Sequence, residues 1–391
     1  MVIFVHFVVP AIKKVTSVIK WGGVNLGIFA DRIDSQNYVV MKKILLMLAF
    51  ALVALAGCKK DPMPGQDATA SESPANCYIV SQAGTYSFKT VKGNSSESVG
   101  KVASAVVLWE SFGTDVAPAV GDLVKSVSYK KGKIVFKTTD KKGNAVIAAK
   151  DASGKILWSW HIWMTDQPQE QEYYNEAGTM MDRNLGATSA TPGDVGVLGL
   201  LYQWGRKDPF LGSSSISSST VAKSTLIWPS AVSSDSSNGT IAYAIANPTT
   251  FIVRNNIVDG DWYYTGSGST DNTRWTTSDK AKSIYDPCPS GWRVPDGGLN
   301  GVWDKAGFDD TTYDNTNNGI SFSISSPSKT WYPASGFYEE GCLYDVGNMG
   351  FYWSAPPYYY YNNSLRIEND GTVALLNCYC DYGFSVRCVK E

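Results

Sequence analysis

Acid–base catalysis, covalent catalysis and metal binding draw on a short list of side chains, and this sequence is sparing with the most versatile of them. Two histidines occur in the 391 residues, His6 and His161. That excludes a histidine-rich metal site and leaves any Ser–His–Asp or Cys–His arrangement resting on His161 alone. His161 lies in the run Trp158-Ser159-Trp160-His161-Ile162-Trp163, which reads as a strand residue with a satisfied hydrogen bond rather than a base. Cys378 and Cys380 stand two apart. At i and i+2 of one strand, two thiols share a face and suit a soft metal. No other enzyme motif accompanies them. Asp309, Asp310, Asp314 and Asp370 lack a calcium-loop spacing and read as turn residues. Gly266-Ser267-Gly268 is not followed by the Lys-Ser/Thr of a phosphate loop. The expectation is a protein without catalytic activity, metal or cofactor.

Binding chemistry is better supplied. Between Phe337 and Tyr382 the chain reads Tyr358-Tyr359-Tyr360-Tyr361-Asn362-Asn363-Ser364 and then Asn377-Cys378-Tyr379-Cys380-Asp381-Tyr382, with Cys342, Tyr344 and Phe351 upstream. A mixture of Tyr, Asn, Ser, Asp and Gly is the chemistry of an antibody paratope. Tyrosine gives broad contact at low entropy cost, and Asn and Ser give adaptable hydrogen bonds. The candidate ligand-contacting residues are Tyr344, Phe351, Tyr358, Tyr359, Tyr360, Tyr361, Asn377, Cys378, Tyr379, Cys380, Asp381 and Tyr382.

The elements that would position these residues fall into an exported, two-part chain. Met41-Lys42-Lys43, the apolar run Ile44 to Ala54 and Leu55-Ala56-Gly57-Cys58 have the order of a secretory signal, which is too short to span a membrane. Residues 1–40 then read as an upstream extension from a start assigned too early, 41–58 as the signal and 59–76 as a polar tether. Residues 77–165 carry short alternating runs with turns such as Lys131-Gly132, which predict a small Ig-like β-sandwich. Residues 166–391 are aromatic, Gly-rich and loop-heavy, with helical signals at Lys280 to Ile284 and Val302 to Ala306. The expected class is α+β. With 34 Lys and Arg against 36 Asp and Glu, the net charge of −2 offers no basic face for nucleic acid.

The C-terminal part resembles the Fibrobacter succinogenes major paralogous domain (FISUMP) family, whose fold is C-type-lectin-like. The pieces that carry the likeness are Met181-Asp182-Arg183-Asn184-Leu185-Gly186, Leu201-Tyr202-Gln203-Trp204-Gly205-Arg206, and Cys288-Pro289-Ser290-Gly291-Trp292-Arg293-Val294-Pro295. Tyr332-Pro333-Ala334-Ser335-Gly336-Phe337, Gly350-Phe351-Tyr352-Trp353-Ser354 and Gly383-Phe384-Ser385-Val386-Arg387-Cys388-Val389 complete it. The resemblance implies a Cys288–Cys388 bridge, with Trp204, Trp292 and Trp353 holding the fold. A Cys342 bridge to Cys378 or Cys380 stays open, because connectivity does not follow from sequence. The residues before Cys58 resemble a bacterial lipobox, which implies acylation at Cys58 and anchoring to the outer membrane. Lys59-Lys60 leave a periplasm-facing anchor open beside a cell-surface one.

The N-terminal part looks like that of pilus-tip-type lipoproteins. Some lectin-like lipoproteins are targets of diversity-generating retroelements, which mutate adenines. Every residue in 355–365 and 374–382 is reachable from an AAC codon that way. Together these likenesses imply a lipid-anchored adhesin binding a cell-surface glycan or protein, with pilus subunits as further partners. A structural pilus subunit is the alternative, and a formylglycine-generating-type enzyme the second.

Overall fold

The computed structural model describes residues 14–21, 24–31, 73–255, 260–266, 274–277, 281–325, 327–358 and 361–391, with backbone alone described at 14–21, 24–31, 356–358 and 361–362. Two compact units divide the chain, Met1–Gln66 and Asp67–Glu391. In the first, β1 (Lys14–Trp21) and β2 (Val24–Asp31) form an antiparallel hairpin. The signal at 41–58, Cys58 and the tether as far as residue 72 lie outside the described residues. Among the described residues no helix is long and apolar enough to cross a membrane.

The second unit begins with β3 (Cys77–Val80), β4 (Thr85–Lys89), β5 (Ser104–Ser111), β6 (Val124–Lys130), β7 (Lys133–Thr138), β8 (Gly143–Lys150) and β9 (Ile156–Met164). One sheet has the order β3-β9-β8-β5, and β4-β7-β6 form another. The pleat sends alternate residues to opposite faces, and the sequence uses both. Trp158, Trp160, Ile162 and Met164 of β9 join Ile147, Phe88, Ile134 and Phe136 in a hydrophobic cluster shared by the two sheets. Trp163 faces the other way, into a cluster with Cys77, Trp109 and Val146. Lys131-Gly132 makes the expected β6–β7 turn. Both residues have positive φ, 48° and 79°, as a two-residue hairpin loop matching strand twist requires.

That second cluster continues into the rest of the chain, through Trp204, Trp275, Trp292, Trp353 and Phe384. Residues 77–165 therefore share a core with the C-terminal part of the chain. Asn76 fastens the junction. Its Nδ2 donates to the carbonyls of Ile284 and Asp286, each at 2.8 Å, and its Oδ1 accepts from Trp158 Nε1 at 3.0 Å.

The C-terminal residues build a sheet in the order Phe210–Leu211, Leu200–Gln203, Gly383–Ser385, Met349–Tyr358, Tyr361–Glu368, Val373–Tyr379. Among the described residues strands take 41 % and helices 5 %, which is a β-rich fold with little helix. Val302–Ala306 is helical as expected, while residues 281–284 are not. Among the described residues Ile241–Ala246 is a second short helix, with no sequence signal that marks it. It is started by Thr240 Oγ1, which accepts from Tyr243 N at 3.0 Å.

Cys288 and Cys388 form a disulfide, with Cα atoms 6.1 Å apart and 100 positions between them in sequence. It lies where the strands Trp292–Arg293 and Val389–Lys390 pair. A loop of that length is worth roughly 4–5 kcal/mol in the chain-entropy model. The Cys288→Ser/Cys388→Ser protein should lose about that much stability, read as a lower urea midpoint of the full chain.

His161 is buried, and its Nε2 lies 2.9 Å from Asn144 Oδ1. Asn144 Nδ2 donates to the Gly186 carbonyl, so Oδ1 is the acceptor and Nε2 carries the proton. Burial pushes the imidazole down to about 3 from its ordinary 6.5. A depressed pKa contributes stability that is full above 6.5 and declines as pH falls. Acidification from about pH 7.5 to about pH 4.5 should therefore cost on the order of 2–3 kcal/mol through this residue. His161→Gln should remove that component, as measured by urea unfolding at the two pH values.

Candidate functional site

The candidate residues gather where a hairpin meets the end of the C-terminal sheet. Phe337–Glu339 and Cys342–Tyr344 pair antiparallel, with Phe337 opposite Tyr344 and Glu339 opposite Cys342. Glu340 and Gly341 turn the chain with φ of 49° and 79°, again the two-residue geometry that suits twisted strands. Tyr338 ties the hairpin to Gly383 of the central strand. Alternation then buries Tyr338 and Leu343 while Tyr344 stays 43 % exposed.

Four rings form a row. Tyr344 and Phe337 lie 6.1 Å apart between centroids, Phe337 and Tyr382 6.0 Å, and Tyr382 and Tyr379 5.8 Å. Phe337 also meets Phe351 at 5.0 Å, Phe351 meets Phe384 at 4.7 Å, and Phe384 meets Trp353 at 4.1 Å. The row thus rests on an aromatic stack that continues into the core. Such ring contacts add to the area they bury and fix the angle of each ring.

Arg254 closes one end. Its guanidinium sits over Tyr379 at 4.4 Å and Tyr382 at 5.3 Å. Nη1 donates to both oxygens of Asp381 at 2.9 and 3.2 Å, and the Arg254 N–H donates to Asp381 Oδ2 at 3.1 Å. Burial pushes the Asp381 carboxyl up to about 6, opposed by those Arg254 groups. At neutral pH the pair is ionic. Tyr382 Oη donates to Glu339 Oε1 at 2.6 Å, which ties the turn to the hairpin. Burial and this carboxylate both raise the Tyr382 phenol, so it stays protonated.

Of the candidate residues, Tyr344, Tyr379 and Tyr382 lie in one row, with Phe337 between Tyr344 and Tyr382. It turns others inward. Phe351 is 8 % exposed and forms the layer beneath the row, and Cys380 and Asp381 are fully buried, in the core and in the Arg254 pair respectively. Asn377 is exposed, opposite Asn363 in register. Cys378 is half-buried with Sγ 3.4 Å from Ser364 Oγ, and burial raises its thiol, away from a reactive thiolate. The strand ends at Tyr379, so Cys380 falls in the turn rather than at the next same-face strand position.

Register aligns the backbone of Tyr358 with Tyr361, and Tyr361 with Tyr379. The side chains of Tyr358 and Tyr361, and all of Tyr359 and Tyr360, lie outside the described residues. Cys342 and Cys378 are free thiols. Among the described residues no group of three or more His, Cys, Asp or Glu could hold a metal ion.

Sequence reading missed Phe337, Glu339 and Arg254. Phe337 stood inside a framework piece and looked structural. Arg254 lies 127 positions from Asp381, with no local pattern to mark it. Removing the guanidinium would leave a buried carboxylate uncompensated, a change that typically costs about 3–5 kcal/mol. Arg254→Ala should therefore destabilise the protein strongly in urea unfolding. Arg254→Lys, which keeps the charge but loses the fork and the stacking, should fall between. No family model, curated protein or solved structure matches this chain.

Proposed function

We propose that this is an exported, lipid-anchored binding protein. Its Tyr344–Phe337–Tyr382–Tyr379 row grips a glycan or a protein at the cell surface, without catalysis. In this reading residues 77–165 are a β-sandwich and 166–391 a C-type-lectin-like head, carried on the outer membrane by an acylated Cys58 and placed as an adhesin at a pilus tip. The single observation behind it is the row itself: an exposed tyrosine continuous with three half-buried rings, on a stack anchored in the core. Preorganised aromatic surface is the usual source of binding hot spots, because the rings lose little freedom on contact. The reach of Asn codons across 355–365 and 374–382 fits a surface diversified by a retroelement.

The test uses the full chain against a glycan array and fixed host and bacterial cells. Tyr344→Ala combined with Tyr379→Ala should weaken ligand capture at least about tenfold, by the scale of truncated aromatic hot spots, with circular dichroism unchanged. Retained capture alongside failed pilus assembly would instead identify a structural subunit.

A further inference from the structure

We propose that the occupant of the aromatic row is a cationic side chain, so that the ligand is a protein surface or peptide rich in lysine or arginine. This rests on the row being the binding site. The charge around it is lopsided. From residue 330 to 386 the sequence has six carboxylates, Glu339, Glu340, Asp345, Glu368, Asp370 and Asp381, against one basic residue, Arg366. The whole chain is nearly balanced at −2, so this segment concentrates negative charge rather than sharing a general excess. Arg366 is spent on Glu368 at 2.8 Å. Arg254 comes from elsewhere in the chain and is met by Asp381 at 2.9 Å and by Glu339 at 3.8 Å, which leaves Glu340, Asp345 and Asp370 without an ion pair among the described residues. Glu340 and Asp345 flank the hairpin strand that carries Tyr344, and both are exposed. Neither makes an ion pair among the described residues.

The structure already holds one example of the proposed contact. Arg254 lies on the faces of Tyr379 and Tyr382 with a carboxylate beside it. Tyr344, at the other end of the row, offers an exposed face on a hairpin whose opposite strand ends at Glu339 and whose turn carries Glu340. A ring face is electronegative, and nearby carboxylates add to its pull on a cation. The same field repels anionic ligands, including nucleic acid and acidic glycans. A neutral sugar would gain nothing from it.

Binding of an oligolysine peptide to the full chain provides the test, with oligoglutamate and neutral oligosaccharides as comparisons. Oligolysine should bind saturably and loosen with salt, and the other two should not bind. Glu340→Gln with Asp345→Asn should weaken it about fivefold, while Glu172→Gln, an exposed carboxylate of another strand, should change nothing. Failure of oligolysine to bind, equal binding of oligoglutamate, or indifference to the two charge changes would overturn the inference. The Tyr344→Ala/Tyr379→Ala protein separates the two levels. If it loses a ligand whose binding ignores the charge changes, the row stands and the cation falls. If it binds every ligand as the unaltered chain does, the row itself is not the site.

Discussion

A guanidinium sealed inside the C-terminal residues sets the terms for much of its surroundings. Arg387 is 1 % exposed, and among the described residues no carboxylate pairs with it. A buried charge is tolerated only where other groups converge on it. Here its Nε and Nη2 donate to Asn184 Oδ1 at 3.2 and 3.0 Å, its Nη1 donates to Thr330 Oγ1 at 3.2 Å, and the Tyr332 ring covers it at 3.7 Å. Asn184 is itself held, donating through Nδ2 to the Leu198 carbonyl and to Ser385 Oγ. Three stretches far apart in sequence must therefore meet at one point, and the disulfide at the next residue, Cys388, fixes the same strand. The aromatic row inherits its position from this knot through the strand Gly383–Ser385, which holds the hairpin at Tyr338.

Features carried by local pattern were legible in the sequence, and features carried by distant partners were not. The alternation of β9 could be read from the spacing of Trp158, Trp160 and Ile162, and the Lys131-Gly132 turn from its residue types. His161 could be read as a hydrogen-bonded strand residue from its neighbours. The short helix at Ile241–Ala246 was missed because one capping threonine among many serines and threonines carries little signal. Helix was expected over Lys280 to Ile284, of which the described residues 281–284 are not helical, and Asn76 captures the Ile284 and Asp286 carbonyls.

At the candidate site the same division holds. Composition pointed to Tyr344, Tyr379 and Tyr382, but it could not tell outward residues from inward ones. Phe351 and Asp381 share the chemistry of their exposed neighbours. Strand alternation buried the first, and a salt bridge to Arg254 buried the second. The boundary between 77–165 and the remainder was drawn from a change in composition, and the shared cluster of Trp163 with Trp204 and Trp353 crosses it.

The hairpin, the row and its acidic flank, residues 337 to 382, all lie inside the ring closed by Cys288 and Cys388. A single protease cut anywhere within that ring leaves the two fragments joined through sulfur. The nicked molecule would keep its mass on a non-reducing gel and separate only after a reductant is added. Residues 337 to 382 therefore stay joined to the rest of the chain after any one scission inside the ring.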